Sequence, residues 1–559
     1  MISRDFGVHN NLSRRMRMKD MEPPRIERLF SDYVKEYAAC MPKKTAINFY
    51  GREITYRELD ESSDRLAAAF ADMGYKRGDR IGLFLQPCPQ CIISYLTAMK
   101  MGLVSVPIDP MSKELELEYF LNDSGAKIIV AMDTTYPVVL LVKNKCKIQD
   151  TIITSFHDYL PDAPSFPVHD MMKPEKKVYD GTHELLWLLK KYDPKPSKVE
   201  VLLSDNGFIL YTGGTTGLPK GCVHTHQDLM YVAWGQSELT YNRVTKDDTF
   251  LNCWPLTHIS GIAHSMAPAL FTGATLIQLA RWDPSAAMQA LDKYRVTLIS
   301  WVVPCYFDVL NHPDVENYKL TSLRVSLIVP FVTPITDEVV NRWEERTKCR
   351  VYDLGYGSSE VMNFCSYGYG LPFPRPQCVV WGRPFPGVEV KIKDFDTGKE
   401  LPEGQIGEIV VNTPSQLKEY LNKQEETKKH IIDGWVHMQD RGYVKDGVLY
   451  FLGKISEVVK VSGYTVALKE IEMFGMKNPA IDKIAVIGVP HPKKGNQIKA
   501  FVVLKPGAKE SATDIEAWFK EKLAVFKRPV VELRKELPLS GKGEILKREL
   551  VKGEIEKDD

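Results

Sequence analysis

Short apolar runs of strand length alternate with helix-length amphipathic stretches along the first third of this chain, and that alternation admits few architectures. Thr55 followed by Glu58 makes a capping box, and Leu59, Leu66, Phe70 and Met73 recur at roughly helical spacing until Gly74 ends the run. Residues 81–85 then read as a buried strand, 89–101 as a helix, 104–108 as a strand and 127–132 as another after an intervening helix. Strands alternating with helices predict parallel α/β layers. At 559 residues the chain exceeds a single hydrophobic core, so about three or four core-sized units are expected.

Composition narrows the function. Hydrophobic content of 44%, charged content of 26% and a formal net charge of +1 suit a soluble multi-domain enzyme and leave no basic field for nucleic acid. Ten cysteines are too sparse for a secreted disulfide framework, and the close pair Cys88 and Cys91 lacks a second pair to complete a zinc site. They read as reduced packing residues. Apolar stretches such as 81–85 and 297–303 are far shorter than a bilayer span, which argues against integral membrane association. The first twenty residues hold Arg4, Arg14, Arg15, Arg17 and Lys19 without an apolar core, so they read as a solvated tail rather than a secretory signal, and a cytoplasmic location is expected. The polar, proline-containing stretch 161–197 reads as a peripheral insertion or connector.

The first chemical signal is Tyr211-Thr212-Gly213-Gly214-Thr215-Thr216-Gly217-Leu218-Pro219-Lys220-Gly221, after the apolar run 208–210 and before a helix that Thr225 and Asp228 would cap. The expected order is strand, loop, helix. Gly213, Gly214 and Gly217 let backbone N–H groups approach an anion, Thr212, Thr215 and Thr216 add hydroxyl donors, and Lys220 adds a charge. Such a loop suits a triphosphate. No Gly-Lys-Ser or Gly-Lys-Thr follows at the Walker offset, so a P-loop NTPase is disfavoured.

This run resembles the phosphate-loop signature of the adenylate-forming superfamily, which includes acyl-CoA synthetases, 4-coumarate ligases, luciferases and nonribosomal adenylation domains. Further stretches resemble the same family in the same order. Pro255-Leu256-Thr257-His258-Ile259-Ser260-Gly261 is similar to its acyl-pocket motif, and Tyr356-Gly357-Ser358-Ser359-Glu360 to its Tyr-Gly-x-Thr-Glu motif. Gly407-Glu408-Ile409, Gly434-Trp435 and Asp440 follow, and residues 454–472, with Ser462-Gly463-Tyr464, resemble the interdomain hinge and the segment after it.

The resemblance implies an α/β fold with a large N-terminal domain of layered sheets and helices and a small, mobile α+β C-terminal domain. On that reading 1–24 is a tail, 25–456 the AMP-binding domain and 457–559 the mobile domain, pivoting near Ser456-Glu457. It gives Thr212 to Lys220 the phosphates of ATP, Glu360 the magnesium ion, Gly355, Tyr356, Gly357, Ser358 and Ser359 the adenine and α-phosphate, and Asp440 the ribose with Lys454 beside it. Lys220, Glu360 and Lys542 are the expected catalytic groups, and Ser462, Gly463 and Tyr464 would face coenzyme A. A carboxylate that accepts from two hydroxyls suits ribose, and a hard oxygen ligand suits magnesium.

Two departures stand out. Lys454 occupies the position of the family's ribose-side arginine, keeping the charge without the planar fork. In Leu537-Pro538-Leu539-Ser540-Gly541-Lys542-Gly543-Glu544-Ile545-Leu546-Lys547, Glu544 stands where the family has its catalytic lysine, leaving Lys542 and Lys547 as nearby candidates.

His258, Phe331 and Gly357 are the expected acyl-pocket residues, with Gly357 leaving the pocket base open to an acid larger than propionate. Ile259 in place of an aspartate argues against an amino-acid substrate, and the bulk at 330–332 favours a medium-length, branched, alicyclic or aromatic acid. The implied reaction makes an acyl-adenylate and passes the acyl group to coenzyme A. The alternatives are loading of a carrier protein, an adenylate-binding protein with impaired catalysis and, with nothing specific in its favour, a luciferase-like oxygenase. A homo-oligomer is compatible with all of these readings.

Overall fold

The computed structural model describes residues 22–212, 219–330, 335–373, 380–455, 458–461, 464–491, 495–523, 525–539 and 545–558. Two largely parallel sheets carry the first part of the chain, in accord with the α/β expectation. One, of seven strands, runs in the order Val351–Asp353, Val325–Val329, Leu298–Val302, Thr249–Asn252, Thr275–Gln278, Thr45–Phe49 and Arg52–Thr55. The other has eight strands, and its centre is formed by Asn206–Tyr211, Val104–Pro107, Arg80–Phe84 and Ile128–Met132. A third sheet, antiparallel throughout, is built from residues 366–454, and a separate five-stranded sheet occupies the C-terminal unit.

The helix Pro89–Met101 is buried on nearly every side, which explains an apolar composition with no polar stripe. Pro89 opens it at a position where the missing N–H is harmless, and Gly102 closes it at φ 64°. Tyr95 on this helix donates to the Leu256 carbonyl at 2.7 Å, tying it to the segment that leads to His258. Thr55 caps Tyr56–Asp72 as expected, although the Glu58 carboxylate turns to Arg52 instead of completing the box.

Two expectations are corrected. The phosphate motif is followed by a strand, Gly221–Thr225, before the helix His226–Gly235, so the order is strand, loop, strand, helix. Gly221–Thr225 pairs antiparallel with Asn206–Tyr211, and its five residues are all buried, which lets Cys222, His224 and Thr225 sit in a strand whose sequence shows no apolar run. The stretch 161–197 is not merely peripheral. It supplies the edge strand His183–Glu184 and the helix Leu185–Lys191, and Phe166, Met172, Leu185 and Leu188 join the main core.

The cysteines among the described residues are free, six of them buried, as packing residues should be. No described helix is long and apolar enough to cross a membrane.

Candidate active site

The phosphate motif hangs from a β-hairpin. Thr212 and Lys220 close its neck: the Thr212 N–H donates to the Lys220 carbonyl at 2.9 Å, and the Lys220 N–H donates to Thr212 Oγ1 at 3.1 Å. Gly213, Gly214, Thr215, Thr216 and Gly217 lie outside the described residues, as do Phe331, Ser462, Gly463, Lys542 and Glu544. Tyr464 begins the strand Tyr464–Ala467.

One helix holds both legs of the hairpin. From Glu114–Ser124, Tyr119 donates to the Pro219 carbonyl at 2.6 Å, and Asp123 accepts from the Tyr211 hydroxyl at 2.8 Å. Tyr119 and Asp123 are four residues apart and so share a helix face. The other edge of the hairpin is covered by residues 418–421, whose short strand Glu419–Tyr420 pairs with Cys222 and Val223.

Tyr420 brings Lys220 and Glu360 together. Its hydroxyl donates to Glu360 Oε1 at 3.0 Å, and its ring lies 4.9 Å from Lys220 Nζ. Burial, reinforced by Glu360, pushes the Tyr420 phenol well up, so it stays a donor. Ser358 Oγ donates to Glu360 Oε2 at 2.6 Å and also accepts from the Glu360 N–H, while the Glu360 carbonyl accepts from Leu417 at 2.8 Å. Beneath this turn, buried His224 donates from Nε2 to the Ser359 carbonyl at 2.7 Å and faces Asp228 through Nδ1 at 3.1 Å. Lys220 Nζ is held by Glu426 at 3.0 Å, so a bound phosphate would have to draw it from that carboxylate. Glu426 in turn is held below its ordinary range by the Lys220 hydrogen bond and charge.

Beside them, Asp440 is buried between two partners. The Tyr356 hydroxyl donates to Oδ2, and Lys454 donates to Oδ1 at 2.9 Å from the directly opposite position on the neighbouring strand. Burial pushes the Asp440 carboxyl up, with Lys454 and Tyr356 opposing. Gln439 has a left-handed φ of 53° at a register irregularity in Trp435–Lys445, an arrangement that re-aims the next side chain. Tyr356 stacks on Phe451 at 5.2 Å. Gly355 has φ 104° and approaches Ser366 so closely that a Cβ would stand 2.2 Å from its carbonyl oxygen, so no larger residue fits.

His258 caps the next helix, Nδ1 accepting from the Ser260 N–H at 3.2 Å. At Gly357 a Cβ would lie 2.7 Å from Asn363 Cα, because the chain folds back on itself through Met362 and Asn363, both at positive φ, so the position admits no side chain. Tyr420, Glu426, His224, Asn363 and His264 are the neighbours that sequence reading missed.

Glu426 is paired with Lys220 and Asp440 with Lys454, so Glu360 is the carboxylate that would hold a metal, and among the described residues no cluster of three or more ligand side chains forms. That suits magnesium, which keeps waters and phosphate oxygens in its shell, rather than a metal held by protein alone.

Residues 34–421 match the family model described as AMP-binding enzyme, and 470–544 match the AMP-binding enzyme C-terminal domain. A long-chain-fatty-acid–CoA ligase of Bacillus subtilis is 31% identical over 554 residues, covering 96% of each chain. A crotonobetaine/carnitine–CoA ligase of Proteus mirabilis is 30% identical, covering 92% of this chain and 97% of the relative. The ATP-bound structure of MatB from Rhodopseudomonas palustris superposes with a TM-score of 0.79 at 26% identity, over 93% of this chain and 98% of that one.

Proposed function

The chain belongs to the AMP-binding enzyme family, and on that premise we propose that it is an AMP-forming acyl-CoA synthetase, which activates a carboxylic acid with ATP and transfers the acyl group to coenzyme A. The observation that carries this reading is the meeting of Lys220 and Glu360 on Tyr420 at the neck of the phosphate hairpin. An acid carboxylate oxygen attacks the α-phosphorus, the bond to the bridging oxygen breaks, and pyrophosphate leaves. The thiolate of coenzyme A then attacks the acyl carbon and AMP departs.

Lys220 gives up Glu426 for the phosphates, and its charge offsets the negative charge that builds up there. Glu360 is the residue that would hold magnesium, which when bound supplies charge neutralisation to the phosphate oxygens. Ser358 and Tyr420 fix that carboxylate, and His224 fixes the turn that carries it. Asp440 takes the ribose hydroxyls, its oxygens already oriented by Tyr356 and Lys454. Residues 25–456 form the nucleotide domain, and 457–559 the unit that turns to admit coenzyme A to the adenylate. The setting we propose is the cytoplasm, with acid and coenzyme A as free substrates.

The test is to incubate the protein with ATP, magnesium, coenzyme A and a panel of acids. Equal amounts of AMP, pyrophosphate and acyl-CoA are expected. Acid-dependent ADP as the sole nucleotide product would reject the mechanism, and acyl transfer only to a carrier protein would reject the acceptor.

A further inference from the structure

Two helices that flank the Gly357 loop widen into π-helical turns, Gln236–Thr240 after the helix His226–Gly235 and Ile262–Met266 after His258. The two turns are tied by the Tyr241 hydroxyl, which donates to the His264 carbonyl at 2.6 Å. Widened turns of this kind recur at functional sites. Between them stands Asn363, whose Nδ2 donates to His264 Nε2 at 3.0 Å and whose carbonyl accepts from Gln236 Nε2 at 3.5 Å.

Three side chains on the two turns leave a buried polar atom unpartnered. His264 is 5% exposed and Nδ1 has no partner; Gln236 is 1% exposed and Oε1 has none; Thr240, one turn on, has none for Oγ1. An unmade buried hydrogen bond is costly, so three on these neighbouring turns call for an occupant. The cluster adjoins Gly357, the residue expected at the base of the acyl pocket: Asn363 Oδ1 lies 2.9 Å from where a Cβ on Gly357 would be, and His264 is six residues beyond His258.

The orphans define what fits. His264 accepts on Nε2, so its proton is on Nδ1 and the orphan there is a donor. Gln236 Oε1 is an acceptor, and Thr240 serves either way. Burial holds the imidazole at about 3, hence neutral, so the three offer no counter-charge to a second carboxylate or an ammonium. A hydroxyl, which accepts and donates at once, matches the set.

We propose that Gln236, His264 and Asn363 form a polar subsite in the acyl pocket and that the acid this enzyme activates carries a hydroxyl on its tail. The proposal rests on the acyl-CoA synthetase reading above and names the substrate class that reading leaves open. The two ligases compared above are named for acids as unlike as a long-chain fatty acid and carnitine, so resemblance does not choose between an apolar and a polar tail.

The test is competition between matched acids in one tube with ATP, magnesium and coenzyme A: octanoate against 8-hydroxyoctanoate, and 3-phenylpropanoate against 3-(4-hydroxyphenyl)propanoate. The ratio of acyl-CoA products measures the ratio of kcat/KM. At least one hydroxylated acid should win by about tenfold or more, since a site built to bond a hydroxyl discriminates strongly against its absence. Gln236→Met and His264→Leu should each reduce that ratio by about tenfold.

Asn363 sits at φ 58°, so Asn363→Gly removes its side chain without backbone strain and provides a third variant if His264→Leu does not fold. Ratios near one or below in both pairs, unmoved by the variants, would overturn the proposal while leaving the reaction intact. Absence of acyl-CoA from all four acids would overturn the reaction and the subsite together.

Discussion

The two tethers from the helix Glu114–Ser124 to the phosphate hairpin can be cut without disturbing the packing around them. Tyr119→Phe deletes only the hydroxyl that donates to Pro219, and Tyr211→Phe only the one that donates to Asp123. The rings remain in their cluster, where Tyr211 packs on Phe120 at 4.7 Å and on Tyr119 at 6.2 Å. A neutral hydrogen bond contributes about 1 kcal/mol net, and one to a carboxylate about 1.5 kcal/mol when, as at Asp123, the acceptor is partly solvated. If that energy holds the loop in its phosphate-binding shape, it reappears in ATP use. By RT arithmetic kcat/KM for ATP in adenylate formation should fall about fivefold in Tyr119→Phe and about tenfold in Tyr211→Phe. Most of each effect should fall on KM. Transfer from a synthetic acyl-adenylate to coenzyme A needs no triphosphate and should be unchanged. Single-turnover pyrophosphate release and thioester formation, measured separately, provide the comparison. Equal slowing of both half-reactions in folded variants, or no change in either, would refute the idea that the helix shapes the loop.

Lys220→Ala and Glu360→Gln should each slow pyrophosphate release by about two to three orders of magnitude, since each removes a charge aimed at the reacting phosphates; unchanged release in a folded variant would remove that residue from the site. Glu544→Lys should accelerate adenylate formation and leave thioester formation little changed, whereas a larger loss in Lys542→Ala would make Lys542 the working cation; single-turnover rates decide. Acid should destabilise the fold through two buried histidines. His226 and His264 are held at about 4 and about 3 by burial, so below the unfolded value of 6.5 the unfolded chain binds the extra protons. Stability from this source is complete above about pH 6.5 and is lost as pH falls towards 4 and then 3, by about 2 kcal/mol per histidine at pH 5. Denaturant midpoints between pH 7 and 5 should show it for wild type and, more weakly, for His226→Asn.

The parallel layers were legible because buried strands and their covering helices leave unmistakable apolar runs, as at Arg80–Phe84 and Pro89–Met101. Gly221–Thr225 left none, because its buried polar side chains are satisfied by hydrogen bonds, Thr225 and His224 to Asp228 and His224 also to the Ser359 carbonyl, and so a hairpin passed for a loop before a helix. Motif order singles out Lys220, Glu360 and Asp440 as candidates. It says nothing of their partners. Glu426 is 206 residues from Lys220 and Tyr420 is 60 from Glu360, separations at which no local pattern survives. At Gly357 the sequence marks only a position without a side chain, and the fold shows what lies against it, the chain's own Asn363.

The C-terminal sheet is packed around a core of its own, Val461, Val466, Ile471, Ile484, Val486, Val502 and Phe519, and the described residues of that cluster all come from beyond residue 455. Two cores that share no side chains need not melt together. A scanning calorimeter should therefore register two endotherms rather than a single midpoint. ATP, whose proposed contacts are in the larger unit, should move one endotherm and not the other; at a hundredfold excess over its dissociation constant it adds about 2.7 kcal/mol to that unit alone. An acyl-adenylate that bridges both units would instead draw the two peaks into one.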